Sequence, residues 1–257
     1  MNINNQQDQW DAKHYKKNSD GQFDHGVSTI REINFRGNEN VLDVGCGDGR
    51  ITAEIAKHVP EGTVIGLDIS PNMITEAKSS FNNIKNLEFV CSDAITFSID
   101  KKFDLITSFA AFHWVKDQES AVKNLYKHLK PGGKIIIQMG AFLRGPVSEV
   151  YEFEKWAPFL SKRPQSYFPQ TVSGFGKLLE NAGFQDINVK QELFAGTCQN
   201  KEDLFNAIFA WVPHSTGLPD DKAREFTQDI VDRICAARND GKIVFETALL
   251  NAKAVKF

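Results

Sequence analysis

An α/β fold with a doubly wound, mostly parallel, seven-stranded sheet is predicted by three observations. Between residues 40 and 140, short runs rich in Val, Ile and Leu alternate with stretches of helical periodicity, as in a parallel sheet covered on both faces. One strand-to-helix connection, Gly45-Cys-Gly-Asp-Gly49, holds three glycines in five residues. Two further apolar runs end in an acid, Asp68 and Asp93, on the carboxyl side of that sheet.

The glycine segment organises the rest. Val41 to Val44 reads as a buried strand, and the helix after the turn carries Ile51, Ile55 and Ala56 on one face. A tight strand-to-helix turn calls for positive φ, and bare backbone lets a ligand come close to the N–H groups at the helix start. The spacing narrows the ligand. A dinucleotide fingerprint places its third glycine where Arg50 stands, and a phosphate-binding loop needs a Gly-Lys-Ser/Thr that is absent. The pattern present is Asp43-x-Gly45-x-Gly47-x-Gly49.

This pattern resembles the first motif of the class I methyltransferases that use S-adenosylmethionine (SAM), whose fold is Rossmann-like. The resemblance implies SAM as co-substrate and no metal. Asp68 ends the strand Thr63–Asp68 about 20 residues past the loop, where a carboxylate accepts from ribose hydroxyls. Asp93, with Ala94, falls where the family holds the adenine amino group. Asp43, Gly45, Gly47, Ile69 and Phe109 complete the implied cofactor contacts in the core.

Composition excludes several classes. Hydrophobic residues at 41% and charged ones at 25% are ordinary for a globular protein. A net charge of -3 without a Lys/Arg run argues against a nucleic-acid surface. Cys46, Cys91, Cys198 and Cys235 include no C-x-x-C pair. A polar start and the lack of 18 consecutive apolar residues predict neither signal peptide nor membrane span, hence a cytoplasmic protein of open oligomeric state. Phe is in excess, 20 residues against 4 Tyr and 4 Trp.

Taken in order, residues 1–36 form an N-terminal flap and a helix from about Phe23 to Ile33, set by Val27, Ile30 and Ile33. On the plain reading this helix packs on the sheet. On the functional one, Tyr15 and Gln22 close over the cofactor: their spacing resembles methyltransferases of free carboxylates, most closely the juvenile hormone acid type, with trans-aconitate and malonyl-carrier-protein enzymes more distant. Residues 37–141 are the SAM-binding core. Its fourth strand, Phe103–Phe109, leads into Phe112-His113-Trp114. Lys130-Pro-Gly-Gly133 ends the next helix before a fifth strand, Lys134–Met139.

Residues 142–170, rich in aromatics and broken by prolines, are predicted as a short helical cap. In 171–196 a helix, Ser173–Ala182, precedes the strand Phe184–Phe194. Residues 197–241 are a second cap insertion: a helix Lys201–Trp211, a turn Pro213–Pro219 and a helix Asp221–Arg238 capped by Asp220 or Asp221. Residues 242–257 give a final strand, antiparallel in this family.

Trp114 either caps the sheet or donates its indole N–H to one oxygen of a substrate carboxylate, with Gln22 on the other. His113 either supports the loop or joins the catalytic set. A cap lined with Phe and Trp implies an apolar acid, and a carboxylate needs no base at pH 7. The expected function is therefore methylation of a small apolar carboxylic acid. Two alternatives stand beside it: methylation of a phenol, amine or carbon centre with His113 or His25 as base, and a catalytically silent SAM-binding protein.

Overall fold

Val41, Leu42 and Val44 are almost completely sealed from water, and the strand they build, β1 (Asn40–Val44), is the middle of the sheet. The computed structural model describes residues 19–141, 144–161, 166–237 and 241–257. Tyr15, Phe142 and Arg238 lie outside the described residues.

Seven strands follow the order β3-β2-β1-β4-β5-β7-β6. They are β1, β2 (Thr63–Asp68), β3 (Leu87–Cys91), β4 (Phe103–Phe109), β5 (Leu129–Gly140), β6 (Gln185–Cys198) and β7 (Ile243–Val255). The pairs from β3 to β5 are parallel. β7 runs between β5 and β6, antiparallel to both. The chain moves outward from β1 through β2 to β3, then returns to place β4 on the other flank of β1. This reversal opens a crevice at the carboxyl ends of β1 and β4, where sheets of this kind receive ligands.

Helices cover both faces. α1 (Asp20–Arg31), α2 (Arg50–His58) and α3 (Pro71–Phe81) flank the face where Val41, Ile55, Val64 and Phe89 pack. α4 (Gln118–His128) and α7 (Val172–Asn181) close the other over Leu42, Ile106, Leu125, Ile137 and Phe175. Side-chain caps fix the starts: Ser70 accepts from the Met73 N–H at 3.1 Å, Asp117 from Ser120 at 3.0 Å and Thr171 from Gly174 at 3.0 Å.

The cap carries α5 (Pro146–Tyr151), α6 (Ala157–Leu160), α8 (Lys201–Phe209), α9 (Val212–Thr216) and α10 (Asp220–Ala236). Val150 and Trp156 from the first insertion meet Leu204, Ile208, Phe226, Ile230 and Ile234 from the second in a core of their own. Much of the cap's aromatic content is consumed there.

Several boundaries differ from the sequence expectation, each for a local reason. α1 begins at Asp20 and stops at Arg31, because the Glu32 and Ile33 N–H groups turn back to Thr29 and Ile30. β5 reaches back to Leu129, which pairs with Phe103 across a bulge, so the Lys130–Gly133 segment is drawn into the strand. β6 runs on to Cys198 because β7 stays paired with it as far as Ile243. The predicted 213–219 turn contains α9, whose first turn accommodates Pro213. Neither Asp220 nor Asp221 caps α10: both sit in its first turn after Pro219, where a negative charge still complements the helix dipole.

Candidate cofactor and acceptor site

The glycine turn leaves β1 with Gly45 at φ +73°, and its N–H and that of Cys46 both reach the Leu67 carbonyl, at 2.7 and 3.0 Å. A Cβ on Gly45 would stand 2.1 Å from that of Ala111, so the turn and the segment after β4 touch backbone to side chain. Gly47, at φ +53°, faces open space. Its N–H donates to Asp68 Oδ2 at 2.8 Å, and Ser70 N–H donates to Oδ1 at 2.9 Å. Two backbone donors thus orient the Asp68 carboxylate at the end of β2 beside the glycine turn.

Next to it Ile69 is 62% exposed, an apolar side chain held in water beside a cradle of glycine. Asp93 lies two residues past β3, its Oδ1 accepting from Ile95 N–H at 2.8 Å, with Ala94 buried behind it. A flat base against Ile69, a diol on Asp68 and an amino group near Asp93 fit this line of groups, so the residues present suit SAM.

Asp43 sits inside β1 and is 2% exposed. Its two oxygens accept from Thr107 Oγ1 at 2.8 Å and Thr52 Oγ1 at 2.7 Å. Burial pushes its pKa up to about 6 against the pull of those hydroxyls, and the nearby Asp68 charge adds to the rise. A buried carboxylate with no cation beside it among the described residues favours a cationic group brought to it, such as a sulfonium or ammonium.

A cleft of about 30 Å³ joins Gln22, Asp43, Gly45, Gly47 and Phe109 with Ser19, Phe23, Asp48 and Arg50. Arg50 is the residue sequence reasoning missed, since there it figured only as a misplaced glycine. Its Nε pairs with Asp48 Oδ2 at 2.8 Å, its Nη2 donates to Ser19 Oγ, and its guanidinium lies 5.1 Å from the Phe23 ring centre. The signal was an arginine at the first position of α2, where the dipole disfavours cations unless an anion is near.

His113 and Trp114 occupy a turn of 3-10 helix, Phe112–Trp114, beyond β4. They are not part of that cleft. The Trp114 ring packs against His113 at 5.0 Å, Tyr167 at 5.6 Å and His214 at 6.5 Å between centroids. His113 is 7% exposed, and burial drives its pKa down to about 3. Ser166 Oγ donates to the His214 carbonyl at 2.7 Å, tying the two cap insertions together over Trp114. Tyr167 and His214 carried no local signal, being about 50 and 100 residues from the motif. His25 is elsewhere, 4.2 Å from the Phe194 ring, in a separate groove between α1 and the β5/β7/β6 strands. Among the described residues no group of three His, Cys, Asp or Glu gathers for a metal, and no helix is long and apolar enough to cross a membrane.

Residues 41–133 match the family described as Methyltransferase domain. Those residues form a methyltransferase domain. It is 42% identical over 96 residues to a malonyl-[acyl-carrier protein] O-methyltransferase of Ilyobacter polytropus, covering 37% of this chain and 36% of that one. It is 28% identical over 215 residues to the juvenile hormone acid O-methyltransferase of Drosophila melanogaster, covering 76% and 71%. The chain spans about a third to a half of the length of the first curated relatives it matches. The crystal structure of the YcgJ protein from a Bacillus superposes with a TM-score of 0.65 at 19% identity, over 91% of this chain and 98% of that one. This methyltransferase domain thus covers the glycine turn and the first five strands up to Gly133, whereas the cap lies outside it.

Proposed function

We propose that the protein transfers a methyl group from SAM to the carboxylate of a small organic acid. SAM supplies an electrophilic methyl on a sulfonium, so the chain's own task is to hold an acceptor atom in line and keep water away. The cradle of Gly45 and Gly47, with Asp68, Ile69, Asp93 and Phe109, holds the cofactor; Tyr15, outside the described residues, is assigned to the flap over it. Trp114 and Gln22 orient the acceptor from the two sides of the crevice.

One observation carries the carboxylate reading: neither histidine first considered as a base is available for that role. His25 faces a different groove, and His113 is buried with Nδ1 accepting from the Gly140 N–H at 3.0 Å. A carboxylate is already ionised at neutral pH and needs no base. The naming of the Drosophila relative for an acid supports the same choice. The cap's large apolar residues mostly pack on one another, and the groups it brings beside Trp114 are the Tyr167 and His214 rings, with their polar edges.

A second reading keeps methyl transfer and changes the acceptor to a phenol or amine, with His214 as base, favoured by its ring standing edge-on to Trp114. S-adenosylhomocysteine release with acids, phenols and amines, in the parent and in His214→Phe, tests the two. Release with acids that survives in His214→Phe supports the carboxylate. Release only with phenols or amines, lost in His214→Phe, replaces it.

A further inference from the structure

The two buried histidines of the core are held in opposite tautomers. In α4, His128 Nδ1 lies 2.9 Å from the Asn124 carbonyl and Nε2 lies 3.4 Å from the Ile99 N–H. A carbonyl only accepts and an N–H only donates, so His128 carries its proton on Nδ1. In His113 the order is reversed. The Gly140 N–H donates to Nδ1 at 3.0 Å, which requires a lone pair there and puts the proton of the neutral ring on Nε2.

The ring is flanked on two sides. Its backbone is pinned by Phe168 N–H donating to the His113 carbonyl at 2.8 Å, and the rings of Trp114 and Tyr167 stand against it, each 5.0 Å away. A Cβ on Gly140 would crowd the Tyr167 Oη, and the Gly140 N–H at the end of β5 faces the ring. Nε2 makes no hydrogen bond to a described residue, so its N–H is the ring's one uncommitted donor among them. Among the described residues the titratable group against the ring is the Tyr167 phenol from the cap, whose own pKa burial pushes up to about 12; Trp114 and Gly140 carry none, and no described carboxylate acts on the imidazole.

We propose that His113 is a fixed neutral donor whose Nε2–H binds an oxygen of the acceptor carboxylate, with Gly140 as the positioning residue that sets its tautomer. This rests on the carboxylate reading above and gives its site a third N–H beside Trp114 and Gln22. A neutral donor orients the anion while leaving its charge for the methyl carbon, and its one ring lone pair, on Nδ1, is engaged by the Gly140 N–H rather than open to take a proton from the acceptor. Release of the ester breaks hydrogen bonds rather than an ion pair.

The test begins with the full chain labelled with 15N in histidine and loaded with S-adenosylhomocysteine. The expected spectrum shows His113 as the neutral Nε2–H tautomer, unchanged between pH 5 and pH 9. An Nδ1–H tautomer, or an imidazolium forming near pH 6, overturns the assignment whatever the acceptor is. Variants probe the contact, with folding checked by thermal melts. Gln at 113 keeps an N–H near the Nε2 position, and Asn keeps a group only near Nδ1. With whichever acid the panel shows to be turned over, His113→Gln should stay within a few-fold of the parent. His113→Asn should lose about 10- to 100-fold, the worth of one hydrogen bond to a charged group, at unchanged SAM affinity. Equal rates in the two variants overturn the contact. Release with phenols or amines alone removes the carboxylate as partner of the N–H, and the spectrum still decides the tautomer independently.

Discussion

Asp43 holds a carboxylate in the interior of β1 with two threonine hydroxyls as its hydrogen-bond donors. Its folded-state pKa of about 6 stands above the ordinary carboxylate value of 3.8, so between those pH values the folded chain holds the proton more tightly than the unfolded one. Stability from this group is therefore present at low pH and declines as pH rises from about 4 to about 6, by about 3 kcal/mol. Asp43→Asn should flatten that part of the stability profile in urea titrations at pH 4 and pH 7. A cationic cofactor gains from the ionised form, so SAM affinity measured by calorimetry should rise as pH passes upward through about 6, and Asp43→Asn should abolish the rise. The other assigned residues separate by readout. Asp68→Ala removes the oriented acceptors and should weaken SAM binding by about 10- to 100-fold. Gln22→Ala and Trp114→Phe should leave SAM affinity near normal and lower turnover, and normal turnover in both would remove them from the acceptor site.

The elements that hold the cofactor are consecutive in the chain, which is why the sequence displayed them. A strand, a glycine turn and a helix within twenty residues leave a local pattern, and the acids ending β2 and following β3 recur at regular spacing. Asp43 was legible as an acid of the motif; its burial under Thr52 and Thr107 was not, because Thr107 comes from β4, 64 residues away. Arg50 belongs to this scale as well. It ties α1, through Ser19 and Phe23, to Asp48 of the glycine turn, with side-chain exposures of 18% and 6% in the ion pair. Arg50→Met strands a buried carboxylate and should cost roughly 3 kcal/mol in a urea melt. It should also speed amide exchange in α1, whereas unchanged exchange there would mean that the helix is held by other contacts. Gly45→Ala combines a left-handed backbone with the 2.1 Å approach to Ala111, and should displace the Phe112–Trp114 turn.

At the scale of the whole molecule, two cores are stacked on one chain: the sheet with its helices, and the cap with its own apolar cluster around Trp156 and Phe226. The cap's existence was legible from aromatic density and prolines. The pairing of its two insertions was not, since Trp156 reaches across 73 residues to Asp229, where its indole N–H donates at 2.7 Å. Trp156→Ala should destabilise the chain by about 3–5 kcal/mol and impair acceptor binding more than SAM binding, as read by separate titrations. The most direct test of the central claim is S-adenosylhomocysteine release with a panel of fatty, terpenoid and small dicarboxylic acids, phenols and amines. Release with acids, undiminished in His214→Phe, is the predicted result. Release confined to phenols or amines, rising with deprotonation of a histidine, would contradict it.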